Sequence, residues 1–248
     1  MPEAQKQPII LAHRGAKAYA PENTIAAFQS AFDSHADGIE LDAKLSKDGE
    51  VMVIHDPTVD RTTNGSGRVN QLTLTELKRL DAGGWFDAKF SGEPIPTLDE
   101  VFSAVGGKFL INVELTNYTS SHDDLVEKVA ALVKKHGIEE HVIFSSFDPL
   151  NLRKIAQLVP GCPCGALAMP SLAGIFMRGF VGRWAAGMVH PYLLDVNPRF
   201  VAAQHRMNRK VNVWTVNNAE DIQRMLAAGV DGIITDDPIL ALKLREAA

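Results

Sequence analysis

The chain is poor in cysteine, in positive charge and in long apolar runs, and each scarcity removes a class of protein. Two cysteines occur in 248 residues, Cys162 and Cys164, with only Pro163 between them. A disulfide across one residue is badly strained, and nearby partners for a zinc site are missing. Both read as small buried side chains kept reduced, which sets the expectation of a cytoplasmic location. Lysine and arginine number 25 against 30 aspartates and glutamates, a formal net charge of −5. That balance argues against nucleic acid as a partner, while a local basic site for an anion stays open. The first ten residues have neither the basic nor the apolar region of a secretory signal. No run reaches the ~20 apolar residues that cross a bilayer, so no membrane insertion is expected. Internal repeats and low-complexity segments are absent too.

What remains is an ordinary globular composition, 46% hydrophobic and 22% charged. Its length suits one α/β barrel of about 250 residues. Pro8–Ala12 reads as a first buried strand, and Pro21–Thr24 as the start of a helix with Ile25, Phe28 and Phe32 on its apolar stripe. Further strands are expected at Phe109–Leu115, Val142–Phe147, Cys164–Ala168, Met188–Leu193, Val211–Val216 and Gly232–Thr235, with helices between them. Strands alternating with helices mean parallel βαβ units, and this many favour a closed TIM (β/α)8-type barrel. In such a barrel the chemistry gathers at the carboxyl ends of the strands. The expectation is one domain over residues 1–248, with residues 57–96 as an insertion covering one end. An irregular stretch that long is uncommon unless it is functional.

The stretch Asp37–Asp56 interrupts the parallel pattern. Runs Ile39–Leu45 and Val51–His55 flank Asp48-Gly49, a strong signal for a two-residue hairpin turn. So short a link excludes a parallel crossover, and one antiparallel step is therefore expected. A two-residue turn sets Ser46 opposite Val51 and Asp42 opposite His55. Glu40, Asp42 and Lys44 then share one face, with His55 looking onto it. Taken alone, Glu-x-Asp reads as a solvated strand face. Two other places change its weight. Glu114 lies near the end of the apolar run Ile111–Leu115, and a buried carboxylate needs a partner or a metal. Glu40, Asp42 and Glu114 supply three hard oxygen ligands of the kind that hold calcium or magnesium. His13 and Arg14 directly follow the first strand. Histidine can act as acid or base near neutral pH, and arginine presents a fork that fits two phosphate oxygens.

These residues sit in motifs that resemble the glycerophosphodiester phosphodiesterase family. The likeness runs through His13-Arg-Gly15, Pro21–Thr24, Gly38–Asp42, Lys47–Gly49, His55-Asp56, Asn112–Glu114, Val213–Asn217 and Gly229–Asp236, in family order over nearly the whole chain. The resemblance implies a TIM barrel with a small insertion after the second histidine motif. It implies one divalent metal ion, Mg2+ or Ca2+, held by Glu40, Asp42 and Glu114, with His13 and His55 as the acid–base pair. Arg14 becomes the phosphate binder and Trp214 a wall of the pocket. The implied reaction is hydrolysis of a glycerophosphodiester, such as glycerophosphocholine or glycerophosphoethanolamine, to glycerol 3-phosphate and an alcohol.

The family commonly has a lysine two residues after the third ligand, where this chain has Thr116. That departure suggests weaker phosphate binding or a different head group, unless Lys44 or Lys17 partly replaces the charge. Two other readings bear on the same residues. The apolar stretch Leu172–Trp184, with Arg178 and Arg183, could meet a lipid surface and point to lysophospholipid substrates, though core packing of a barrel helix is the simpler expectation. A non-catalytic phosphate-binding barrel is the third, and the pair of histidines speaks against it.

Overall fold

In the computed structural model, which describes residues 7–118, 123–181 and 186–248, eight parallel strands close into a barrel. The strands are β1 (Ile9–His13), β2 (Gly38–Leu45), β4 (Leu110–Leu115), β5 (Val142–Ser146), β6 (Cys164–Ala168), β7 (Met188–Pro191), β8 (Lys210–Val213) and β9 (Gly232–Thr235). They pair in chain order from β4 to β9, then through β1 and β2 back to β4. The short β3 (Val51–Val53) adds antiparallel to β2 outside the ring. This is the TIM-barrel architecture expected from the alternation, with the antiparallel step where the short Asp-Gly link requires one.

Each crossover helix forms for local reasons and then buries one stripe. The helix Ala219–Ala228 is capped by the Asn218 side chain on the Asp221 amide and stopped by left-handed Gly229. It buries Ile222 and Met225, each worth roughly 1.5–3 kcal/mol relative to exposure. Strand register matters more for function. A Cβ on Gly38 would lie 2.3 Å from the Leu110 carbonyl oxygen, so glycine lets β2 run close beside β4. The resulting register sets Glu40 beside Asn112 and Asp42 beside Glu114.

The hairpin differs from expectation by one residue. Ala43 faces Val53 and Leu45 faces Val51, so Asp42 lies level with Ile54, whose amide donates to the Asp42 carbonyl. The turn has three residues: the Ser46 amide donates to the Glu50 carbonyl, and Gly49 alone takes a positive φ of +82°. Three-residue hairpin loops commonly close on a single left-handed residue, and Gly49 fills that position here. The Asp48 carboxylate is also engaged, accepting from the Ser46 hydroxyl and the Leu74 amide. His55 therefore leaves the end of β3 instead of sitting opposite Asp42.

Residues 57–96 lie over the hairpin and pack Val59, Val69, Leu77, Ala82 and Ile95 against Met52 and Ile54, a small core apart from the main ones. Farther along, the apolar stretch Leu172–Trp184 is helical from Leu172 to Phe176 and passes into a π-helical turn, Met177–Val181. Its far end, with Arg183, lies outside the described residues. Core packing does not hold for its start: Leu172, Ile175 and Phe176 are exposed. Arg178, a candidate for meeting a lipid surface, is paired with Asp195. No described helix is long and apolar enough to cross a membrane.

Candidate active site

The neighbouring strands β2 and β4 bring Glu40, Asp42 and Glu114 together. One carboxylate oxygen from each lies within 4.8 Å of the others. Bonds of about 2.0–2.6 Å to a common hard cation allow oxygens about that far apart, so the donor set fits one divalent ion. Glu40 and Asp42 are buried. Burial, then the charges of Asp42 and Glu114, push the Glu40 carboxyl well above its ordinary range. Burial and Asp42 likewise push Glu114 up to about 8. Like charges crowded out of water favour whatever neutralises them, and a dication does so while keeping all three ionised.

Neighbouring groups hold the three carboxylates in place. Asn23, in the left-handed region at φ 57°, donates from its amide to Asp42 Oδ2 at 2.9 Å. The Arg14 backbone amide donates to Glu40 Oε2 at 3.0 Å, and the Tyr118 hydroxyl to Glu114 Oε1 at 2.8 Å. Such outer contacts fix the direction of a carboxylate before anything binds.

His13 ends β1 with Nε2 3.9 Å from Glu40 Oε2 and Nδ1 2.6 Å from Asp236 Oδ1. Burial opposes the ionised form of Asp236, but bonds from His13 and Lys17 outweigh that and keep it below the usual carboxylate range. An ionised carboxylate only accepts, so the hydrogen is assigned to Nδ1, and the neutral ring turns its Nε2 lone pair toward the carboxylates. Burial pushes the His13 imidazole below its ordinary value, against the pull of Asp236. Asn217 holds Asp236 twice, by its side-chain amide on Oδ2 and its carbonyl on the Asp236 amide, each at 2.9 Å.

His55 has the same local arrangement, Nδ1 at 2.6 Å from Asp56 Oδ1, in a more open setting. Arg61, from the segment over the hairpin, donates to both Asp56 oxygens and both Glu22 oxygens. It holds Asp56 well below the usual range, with His55 adding to the effect. Glu22 also accepts from Arg14 at 2.9 Å. Burial opposes its charge, but Arg61 and Arg14 prevail and bring it down to about 2. No direct contact joins His55 to the three carboxylates among the described residues. It connects to them through Asp56, Arg61, Glu22 and Arg14, whose Nε lies 3.4 Å from Asp42 Oδ2.

Trp214 follows β8, donates from its indole to the His190 carbonyl at 2.6 Å, and meets Phe147 and Tyr192 edge-on. Tyr118 meets Phe147 in turn. The Trp214 ring thus belongs to an aromatic run that ends on a residue bonded to Glu114. Sequence reading missed Glu22, Asn23, Arg61, Tyr118, Asn217 and Asp236 as site residues. Glu22 and Asn23 were in view as a helix start, and Asn217 and Asp236 close two of the quoted motifs. Arg61 and Tyr118 carry no such signal, because only folding brings them near.

The model of the "Glycerophosphoryl diester phosphodiesterase family" matches residues 13–240. A glycerophosphodiester phosphodiesterase of Caldanaerobacter subterraneus is 45% identical over 237 residues, covering 95% of this chain and 97% of its own length. The crystal structure of a glycerophosphodiester phosphodiesterase from Agrobacterium tumefaciens is similar with a TM-score of 0.83 and 32% identity, over 95% of this chain and 99% of that one. An Oleispira antarctica phosphodiesterase, solved in complex with the product sn-glycerol-3-phosphate, is similar at a TM-score of 0.88 and 26% identity, over 97% of both chains.

Proposed function

The chain belongs to the glycerophosphoryl diester phosphodiesterase family and is an enzyme that hydrolyses glycerophosphodiesters; on that premise we propose a metal-dependent cleavage carried out by His13 and His55. The observation that carries this reading is the carboxylate trio Glu40, Asp42 and Glu114, with the His13 imidazole at its edge and braced from behind by Asp236. A divalent ion held by the three carboxylates, Mg2+ or Ca2+, would supply charge stabilisation on the nonbridging phosphoryl oxygens. His13 and His55 each keep Nδ1 on a carboxylate and so offer Nε2 to the substrate. One takes the proton of the nucleophile, and the other returns a proton to the leaving alkoxide. Arg14 contributes its charge from beside Asp42 and Glu22. Glycerophosphocholine or glycerophosphoethanolamine would give sn-glycerol 3-phosphate, the product bound by the Oleispira relative, and an alcohol.

The test is sn-glycerol 3-phosphate release from both diesters before and after chelation, with Mg2+ and Ca2+ added back separately. Release should vanish with the metal and return with at least one of the two ions. Undiminished turnover after exhaustive chelation would remove the metal from the mechanism.

A further inference from the structure

Among the cations around the carboxylate trio, one differs from the rest. Arg14 is within 4 Å of Glu22 and Asp42, Arg61 of Glu22 and Asp56, and Lys17 of Asp236. Lys44 is half-buried and has no carboxylate within 4 Å among the described residues. Its ammonium donates to two neutral oxygens of Thr116, the hydroxyl at 2.7 Å and the carbonyl at 3.2 Å. The Thr116 hydroxyl spends its own hydrogen on the Ala43 carbonyl at 2.7 Å, which turns its lone pairs toward Lys44. An ammonium has three donors, so one remains after both bonds to Thr116.

The position is as telling as the pairing. Glu40, Asp42 and Lys44 alternate along β2, and β2 lies in register with β4 so that Asp42 neighbours Glu114. Lys44 is thus one step beyond the carboxylates toward the open end of the barrel, and Thr116 is one step beyond Glu114. The acidic groups that act on Lys44 through space are Asp42, Glu114, Asp56 and Asp123. A cation held out of water by neutral acceptors is costly unless an anion completes it. Building on the phosphodiesterase reading above, we propose that Lys44 binds the anionic phosphoryl group of the substrate, and that Thr116 positions its ammonium from the neighbouring strand.

The experiment is calorimetric binding of sn-glycerol 3-phosphate to the Mg2+-loaded protein, alongside steady-state kinetics on glycerophosphocholine. Lys44→Met should weaken binding by about 10- to 100-fold, the worth of a charge-assisted hydrogen bond, and raise KM in proportion. Thr116→Val should raise KM by a smaller factor, and Thr116→Ser, which keeps the hydroxyl, should restore it. Lys44→Thr combined with Thr116→Lys moves the ammonium across the strand pair and should bind better than Lys44→Thr alone. A folded Lys44→Met protein with unchanged affinity and KM overturns the proposal while leaving the phosphodiesterase reading intact. So does tighter Mg2+ binding with unaltered phosphate affinity, which would assign Lys44 to offsetting the carboxylates. Should Lys44→Met not fold, a double variant no better than Lys44→Thr has the same force. A wild-type protein that neither binds nor cleaves overturns both readings.

Discussion

At the His13 corner the imidazole is 14% exposed, and its carboxylate partner Asp236 comes from 223 residues away, at the end of the last barrel strand. At the His55 corner the imidazole is 43% exposed and its partner is the next residue, steadied by Arg61 from the segment over the hairpin. One device is built in two ways. The first exists only when β9 closes against β1, so its geometry is tied to the whole barrel. The second depends on the small core of Met52, Ile54 and residues 59–95, which is separate from the clusters that pack the barrel. Exposure follows the same division: water can stand in for a lost partner at His55 and much less readily at His13.

The largest effect expected from this contrast is on the imidazoles themselves. His13→Ala and His55→Ala should each lower turnover of glycerophosphocholine by about 10²- to 10⁴-fold, the usual worth of acid–base catalysis. Near-normal turnover in either variant would take that histidine out of the chemistry and end the parallel between the corners.

A smaller and more discriminating effect belongs to the carboxylates behind them. Asp236→Asn and Asp56→Asn should reduce kcat by about 10- to 100-fold with little change in KM, because an amide can offer Nδ1 a hydrogen and reverse the tautomer. The loss should be greater at Asp236, whose partner His13 is far less exposed to water than His55. Nitrogen chemical shifts of the two rings would report the tautomers directly, and equal losses at both aspartates would erase the difference between the corners.

The mildest test concerns stability in acid. Glu22, buried between Arg14 and Arg61, is held down to about 2 from an ordinary 4.5. A depressed carboxylate stabilises the fold above its unfolded value, and that stabilisation fades as pH falls from about 4.5 through about 2. At neutral pH it amounts to roughly 3 kcal/mol. Glu22→Gln should therefore lower Tm at pH 7 and flatten the acid limb of a Tm-against-pH curve between pH 5 and 2. An unchanged acid limb would mean that the ion pairs joining the corners do not support the fold.

Much of this was legible in the order of residues. Alternating apolar runs and helix starts announce a parallel barrel, since strand and helix each repeat their apolar positions at a fixed period. Asp48-Gly49 announces an antiparallel step. Its register was not legible, because the choice between a two- and three-residue turn rests on Ser46, Asp48 and the distant Leu74 amide. Glu40, Asp42 and Glu114 could be picked out because carboxylates in apolar strands are conspicuous. Leu172, Ile175 and Phe176 misled for the opposite reason: apolar composition does not say which face a helix turns to water.

The sequence by itself determined the barrel and the strands on which Glu40, Asp42, Glu114 and His13 stand, since these follow from local periodicity and from residue types that fit poorly in apolar strands. Only the tertiary structure decided that Asp236 braces His13, that Arg61 joins Glu22 to Asp56, and that Lys44 rests on Thr116 instead of a carboxylate. Those pairings join residues far apart in the chain, and a charged side chain's partner is set by which groups the closed barrel brings within about 3 Å of it.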